Sequence, residues 1–183
     1  MHGIRIATLA DIPHIQTLID HSARALSVGF YTPSQIEYAV KYVFGVDSHL
    51  IEDGTYFVAH EGEAFAAAGG WSKRRRLFGG DQFAAQADPY LDPAHEPARI
   101  RAFFVHPDWA RRGLARRLFE ACEHAAGAEG FRSFELMATM PGVPLYSALG
   151  FTSHEQVDVP MADGIVLPCI RKTRRIDTGR ERR

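Results

Sequence analysis

The chain has 183 residues, 46% of them hydrophobic and 23% charged, and its formal net charge is -1. These values are typical of one globular domain and exclude a disordered or coiled-coil chain. The near-neutral charge argues against a dedicated nucleic-acid-binding or membrane-surface protein, so we expect a small-molecule partner. Only two cysteines occur, Cys122 and Cys169, which excludes a disulfide scaffold. The sequence shows no apolar run of about 18 residues and no signal-peptide pattern, which predicts a cytoplasmic protein.

The N-terminal part predicts a strand followed by two amphipathic helices. Thr8 and Asp11 form a capping-box pattern in front of an apolar stripe with helical spacing. Thr32 and Pro33 have the residue types that favour the cap and the first position of a second helix. The three elements span residues 3–6, 8–26 and 33–44.

The middle of the chain predicts a hairpin, a long loop and a buried strand. Turns at Asp53-Gly54 and Glu61-Gly62 delimit two short strands of an antiparallel hairpin. Residues 72–97 form a connection too long to be featureless, so we expect it to be functional or to cover an oligomer interface. Residues 100–105 are apolar at nearly every position, which predicts a central strand covered on both faces.

The C-terminal part predicts one long helix, a strand, a short helix and a closing hairpin. The long helix carries Leu114, Leu118 and Cys122 at helical spacing and ends near Gly127 or Gly130. The later elements span residues 134–138, 143–149, 151–157 and 166–171. Residues 174–183 are polar and basic and are expected to be flexible, which leaves residues 1–173 as a single domain.

Residues 105–115 have the pattern of an anion site. They lead from the end of a buried strand, through a turn, into a helix start, where unpaired N–H groups and the helix dipole favour negative charge. Gly113 and Ala115 leave room for a pyrophosphate to approach the backbone. Most helix starts of this kind merely carry a solvated basic face, so the pattern alone is weak evidence. Positive charge comes from Arg111, Arg112, Arg116 and Arg117.

A second motif follows this segment at Leu145, Tyr146, Leu149, Gly150 and Phe151, after the first at Val105, Pro107, Gly113 and Ala115. Together the two motifs make the chain resemble the GNAT superfamily of N-acetyltransferases. The family strand ends in Val-x-Pro and is followed by Gln/Arg-x-x-Gly-x-Gly/Ala; a later family motif is Leu-Tyr-x-x-Leu-Gly-Phe. The resemblance extends to about Lys172, and Ala110 departs from it at a position where the family often has Gln or Arg.

The resemblance implies an α/β (α+β) fold, with a splayed mixed sheet of six to seven strands flanked by about four helices. It also implies acetyl-CoA as cosubstrate, with the pantetheine arm pairing in the gap as a pseudo-strand. A homodimer is an expectation of the family alone. No metal is expected, because the nine histidines are scattered without a paired ligand spacing. The implied binding residues are Phe103, Phe104 and Val105 for the arm, and Arg111, Arg112, Gly113, Leu114, Ala115 and Arg116 for the pyrophosphate.

The implied reaction is direct transfer of the acetyl group to a primary amine within a ternary complex. Tyr146 is the candidate acid for the departing thiolate, and a backbone N–H near Val105 is the candidate oxyanion donor. The base is open, because Arg99 stands near the position where the family often has a glutamate. The alternatives for the base are Glu135, Asp81, His106 or an ordered water.

The acceptor, a small-molecule or peptide amine, is expected between the first two helices, the hairpin tip and the long loop. The basic run 73–76 predicts either recognition of an acidic acceptor or CoA phosphate, or a solvated loop. The P-loop, dinucleotide and nucleophile-elbow motifs do not occur in the sequence. The runner-up is a non-catalytic acyl-CoA sensor, which Ala110 and the missing glutamate favour and Tyr146 opposes. Aromatic candidates for the acceptor pocket are Phe30, Tyr31, Trp71 and Phe78.

Overall fold

The structure is a computed structural model that describes residues 3–83 and 85–177. Its strands are β1 (Gly3–Ile6), β2 (Tyr56–Glu61), β3 (Ala64–Ser72), β4 (Ala98–Val105), β5 (Ser133–Thr139), β6 (Thr152–Pro160) and β7 (Val166–Arg175). They form one sheet in the order β1-β2-β3-β4-β5-β7-β6. Neighbouring strands are antiparallel except β4 and β5, which are parallel. The predicted mixed sheet of six to seven strands, with residues 100–105 at its centre, is confirmed.

Five α-helices flank the sheet within the described ranges, where about four were expected. They are α1 (Ile12–Leu26), α2 (Pro33–Tyr42), α3 (Ser48–Glu52), α4 (Leu114–Ala128) and α5 (Val143–Ala148). The prediction omits α3 because its five residues make little more than one turn, too few to show helical periodicity. No helix in the described part of the chain is both long and apolar enough to cross a membrane.

Helices α1 and α4 cover opposite faces of the sheet. Ile15 of α1 packs in one buried cluster with Ala68 of β3, whereas Leu118 of α4 packs in another with Ala67, the preceding residue of β3. Successive side chains of a strand point to opposite faces of the sheet. The central strands are therefore buried on both sides, as the apolar run in β4 predicts.

Both predicted capping boxes are present, but the box of Thr8 and Asp11 caps a 3-10 turn, Leu9–Asp11, after which α1 begins at Ile12. The carboxylate of Asp11 accepts hydrogen bonds from the Thr8 N–H at 2.8 Å and from the Arg5 guanidinium at 2.7 and 2.8 Å. The Arg5 guanidinium, assisted by Thr8, holds the pKa of Asp11 well below its usual range. At the start of α2, Thr32 Oγ1 accepts from the Gln35 N–H at 3.2 Å, and Gln35 Oε1 accepts from the Thr32 N–H at 3.0 Å. Both helix starts are thus held by short local contacts.

The prediction of a flexible tail from residue 174 is wrong for the part of the tail that the structure describes. Strand β7 continues to Arg175 and pairs with β5 as far as Ser133. Arg174 forms an ion pair with Glu123 at 3.1 Å, and Ile176 is buried in the main apolar cluster. This apolar residue and the strand register hold the segment against α4 and β5. The rest of the predicted tail, residues 178–183, lies outside the described residues.

Candidate active site

Strands β4 and β5 separate soon after they begin and leave a gap in the middle of the sheet. They pair at only two positions, Ala98 with Phe134 and Arg99 with Glu135. Beyond Arg99 a cavity of about 220 Å³ lies between them. Residues from β4, from β5 and from α5 all line this cavity. The splayed sheet expected from the resemblance is therefore present.

A β-bulge bends β4 where it borders the gap. Arg101 faces Gly70 and Phe104 faces Ala68 on β3, so Ala102 and Phe103 together oppose the single residue between them, Gly69. Ala102 adopts a positive φ of 54°, which costs about 1 to 2 kcal/mol in a residue with a Cβ. The Tyr56 hydroxyl donates to the Ala102 carbonyl at 3.0 Å. This contact helps to hold the strained bulge in place.

The bulge turns the ring of Phe103 toward α5. The ring lies over Gly69, where an added Cβ would come within 2.7 Å of Phe103 Cδ2. On its other side, the centroid of the Phe103 ring lies 6.4 Å from that of Tyr146. A glycine at position 69 is thus a steric requirement for this arrangement.

Tyr146 is a cavity residue and is not on the surface. Its side chain packs among Phe103 and Phe151 and lines the gap between β4 and β5. Its hydroxyl makes no hydrogen bond to any other residue in the described part of the chain. Burial raises the pKa of Tyr146 above its ordinary value of 10.0, so the phenol stays protonated at neutral pH. The hydroxyl therefore carries its proton and is not engaged by another described residue.

The segment after β4 has the backbone of an anion-binding turn. Arg111 and Gly113 have positive φ angles of 63° and 79°, and Gly113 caps α4 without any side-chain hydrogen bond. The first hydrogen bond of the α4 start runs from the Arg117 N–H to the Gly113 carbonyl. The N–H groups of residues 114–116 are thus left without helical partners. A Cβ on Gly113 would meet no atom within 4 Å, so the space before this helix start is open.

Three arginines surround this turn with unpaired charge. Arg111, Arg112 and Arg116 are exposed, and none forms an ion pair with another described residue. Leu114 is buried under the helix start, and Ala115 presents only a methyl group. Exposed N–H groups, positive side chains and open space together make a site that suits a phosphate. Whether these residues bind CoA stays a prediction.

The Val105 N–H donates to Ser22 Oγ of α1 at 3.2 Å. The neighbouring His106 N–H donates to the Ala66 carbonyl of β3 at 2.8 Å, so the Val105 N–H points the opposite way, toward the gap. Ser22 is buried and lines the cavity. The donor proposed for the pantetheine arm or the oxyanion is therefore on the open edge of β4, with a serine hydroxyl as its present partner.

None of the side-chain candidates for the base lies in the cavity wall. Glu135 sits at the closed end of the gap, where its carboxylate contacts the guanidinium of Arg99 and that of Arg171, the latter at 2.8 Å. Asp81 accepts two hydrogen bonds from Ser48, each 2.8 Å long. His106 accepts from the Asp108 N–H at 3.2 Å and so caps the next turn. The ordered water remains the open alternative.

The basic run 73–76 is held by the protein's own carboxylates. Lys73, Arg74 and Arg75 form ion pairs of 3.1, 2.8 and 2.8 Å, and the Arg76 N–H donates to a carboxylate at 2.7 Å. The run therefore fastens the long loop to the domain. The partners, in the same order, are Glu129, Asp53, Glu96 and Asp88.

Of the four aromatic candidates for the acceptor pocket, only Phe78 lines the cavity. Trp71 is buried beside Phe131, and Phe30 is half exposed. Tyr31 joins the loop after α1 to the far end of the sheet, because its hydroxyl donates to the Pro168 carbonyl at 2.6 Å and accepts from the Met140 N–H at 2.8 Å. These three residues shape the surroundings of the cavity and form none of its wall.

The comparisons identify the family. The model of the acetyltransferase (GNAT) domain matches residues 52–153, and the chain belongs to this family. A GCN5-related N-acetyltransferase from Rhodopseudomonas palustris superposes with a TM-score of 0.70 at 18% identity, covering 96% of both chains. PaiA N-acetyltransferase from Thermoplasma acidophilum, solved with coenzyme A, gives 0.66 at 11% identity, covering 96% of this chain and 99% of its own. YncA from Salmonella typhimurium, solved with acetyl-CoA, gives a TM-score of 0.63 at 16% identity, covering 97% of this chain and 95% of its own. No curated protein sequence gives a match.

Sequence reasoning missed two parts of the site. Ser22 carries no signal in the sequence, because it is one small residue on the buried side of an amphipathic helix. The sequence predicts the closing hairpin only as part of the sheet, yet Val159, Leu167 and Cys169 line the cavity. The turn of the first hairpin, which is predicted to border the acceptor, contributes nothing to its wall. The order β5-β7-β6 brings β7 beside β5 and so next to the gap.

Proposed function

We propose that this protein transfers an acetyl group from acetyl-CoA to a primary amine by direct transfer within a ternary complex. The observation that carries the proposal is that one cavity joins the open edge of β4 to the unengaged hydroxyl of Tyr146. The same strand leads directly into the phosphate-suited start of α4. A thioester, its pantetheine arm and its pyrophosphate would fit these three features in the order in which they occur in CoA.

The residues present fit acetyl-CoA as cosubstrate. The N–H groups of residues 114–116 and the exposed side chains of Arg111, Arg112 and Arg116 would hold the pyrophosphate. The open edge of β4 at Phe103 to Val105 would pair with the amide groups of the arm. When bound, acetyl-CoA supplies the activated acetyl group. The protein supplies orientation, hydrogen bonds and a proton.

The transfer needs one bond made, one broken and two protons moved. The neutral amine nitrogen attacks the thioester carbon, and the carbon–sulfur bond breaks with its electron pair staying on sulfur. The Tyr146 hydroxyl is suited to give its proton to that sulfur, because the phenol is protonated at neutral pH. The proton lost by nitrogen passes to water, from which the tyrosine is reprotonated. Charge growing on the carbonyl oxygen would be met by an N–H of β4.

The cysteines argue against an acyl-enzyme route. Cys169 lines the cavity, but burial raises the pKa of its thiol to about 11. Burial raises the pKa of Cys122 further still. Because the thiolate is the nucleophile, both cysteines are unreactive at neutral pH. Attack by the amine itself is the simpler route.

The test is CoA release from acetyl-CoA over a panel of primary amines, beside calorimetric binding of acetyl-CoA alone. We expect micromolar or tighter binding, and CoA release that depends on the amine and yields one N-acetyl product per CoA. Tight binding without any amine-dependent release would support the non-catalytic sensor, which the missing carboxylate base favours.

A further inference from the structure

Most of the wall of this cavity is apolar. Side chains from the end of α2, the long loop and the closing hairpin meet there, and all of them except Leu77 belong to one apolar cluster or pack against it. Leu167 and Val159 are buried, and Phe78 is half-buried. The large apolar residues of this wall are Val43, Phe44, Leu77, Phe78, Val159 and Leu167.

No carboxylate, lysine or histidine lines this cavity within the described part of the chain. The single charged wall residue is Arg101, whose side chain is 1% exposed. Its guanidinium donates to Asp47 Oδ2 at 2.6 Å and to the Arg76 carbonyl at 3.1 Å, and it also contacts the Gly79 carbonyl. Its charge is thus balanced inside the protein. Neither an ammonium nor a carboxylate of a substrate would find an unpaired partner of opposite charge in this wall.

We propose that the acceptor is a monoamine carried on an apolar alkyl or aryl body, which binds to this apolar wall in its neutral form. The inference rests on the proposed acetyl transfer and names its substrate class. It excludes polyamines and free amino acids, because each would bury a second charged group without a partner of opposite charge.

The same apolar wall explains how the reaction can proceed without a protein base. An apolar environment disfavours the charged form of an amine and lowers its pKa. The ammonium ion therefore leaves its proton in bulk water before binding, and no carboxylate is needed beside the thioester. Glu135, Asp81 and His106 all lie outside the wall, as this route allows.

Exposed apolar residues adjoin the wall along the chain. Val28 and Phe30 are 69% and 51% exposed and follow Ser27, which lines the cavity. Val166 is 38% exposed and precedes Leu167 of the wall. Apolar residues that are open to solvent therefore precede or follow cavity residues in the chain.

The first experiment compares matched acceptors that differ by one charged group. Hexylamine is paired with 1,6-diaminohexane, and 2-phenylethylamine with phenylalanine. We expect kcat/KM to favour the monoamine of each pair by about 100-fold or more, the scale expected for one unpaired buried charge. A preference for the diamine or the amino acid would overturn the inference. So would a preference for hexanoyl-CoA over acetyl-CoA without any preference among amines, since the wall would then hold the acyl chain.

The second experiment places a carboxylate in the wall. The Phe78→Glu variant should reduce the preference for hexylamine over 1,6-diaminohexane by at least tenfold, while acetyl-CoA affinity stays unchanged. Leu77→Glu replaces it if that variant does not fold. Leu9→Glu, at an apolar residue that is 57% exposed and outside the wall, should leave the preference intact. An unchanged preference in both wall variants would contradict the inference.

The pH profiles give a third measurement. If the neutral amine binds, kcat/KM should rise with pH in proportion to the neutral fraction of the amine, while kcat stays flat above about pH 7. A fall in kcat as the pH drops through about 7 would indicate a protein base. It would overturn the inference that the amine binds in its neutral form and needs no base. Acetylation of polyamines alone would refute the substrate class and leave the acetyltransferase intact. Failure to bind acetyl-CoA, or to acetylate any amine, would refute both the substrate class and the proposed acetyl transfer.

Discussion

The ring of Phe103 meets that of Tyr146 across the gap between β4 and β5, with centroids 6.4 Å apart and planes inclined by 66°. One ring stands on the bulge of the central strand, the other on the short helix that follows β5. The separation of the two strands places the phenol beside the backbone groups expected to hold the thioester.

Replacing Tyr146 with phenylalanine should lower kcat by about 100-fold or more and leave the acetyl-CoA dissociation constant nearly unchanged. The variant keeps the ring contacts and removes only the proton donor. Steady-state kinetics and calorimetry give the two values. Tyr38→Phe, at a half-buried tyrosine of α2 that contacts Asp163 and lies outside the cavity wall, is the control and should turn over normally. Unchanged turnover in the Tyr146 variant would remove the residue from the mechanism.

Replacing Gly113 with alanine should weaken acetyl-CoA binding about tenfold or more. The new Cβ would occupy open space where the pyrophosphate is expected, and the positive φ would be strained by about 1 kcal/mol. S-acetylpantetheine, which lacks the pyrophosphate, should react with the variant and the wild type alike. Gly54→Ala, at a φ of 71° with no atom within 4 Å, is matched for strain and should bind acetyl-CoA normally. Equal losses in both variants would mean that strain alone is responsible.

Replacing Ser22 with alanine should destabilise the free protein by about 1 kcal/mol, because the Val105 N–H loses its partner. The same change should tighten acetyl-CoA binding severalfold, since the serine hydroxyl no longer competes for that N–H. Urea unfolding and calorimetry measure the two effects. Ser27→Ala removes another buried serine of the cavity wall and should change affinity little. Weaker binding in the Ser22 variant would show that this hydroxyl itself contacts the cosubstrate.

Replacing Asp11 with asparagine should lower the free energy of unfolding at pH 7 by about 1 to 2 kcal/mol. The pKa of Asp11 is lower in the folded protein than in the unfolded chain. Its contribution is therefore complete above the unfolded value of 3.8 and is lost as the pH falls below it. The difference between wild type and variant should shrink from pH 7 to pH 3 in urea titrations. Asp20→Asn, at an exposed α1 residue 3.6 Å from Arg24, should have little effect at either pH. A difference that does not depend on pH would rule out the ion pair as its cause.

Local signals explain most of what could be predicted about the fold. Thr8 and Thr32 cap helices as expected, because a cap depends on residues three apart in sequence. The apolar run in β4 revealed a strand covered on both faces, since both faces require apolar side chains. The flexible tail was predicted from the charges after residue 173, yet Ile176 and the register with β5 hold residues 174–177. Such partners are distant in sequence and leave no local pattern.

Short motifs in the chain indicate the family, the phosphate-suited turn and the candidate tyrosine, because the residues of each motif are neighbours in the chain. The surroundings of the cavity, by contrast, follow from the tertiary fold alone. It enclosed Tyr146, directed the Val105 N–H to Ser22, kept Glu135 between two arginines at the closed end, and lined the cavity with the closing hairpin. These relationships join residues far apart in sequence, so they depend on strand order and on the separation of β4 from β5.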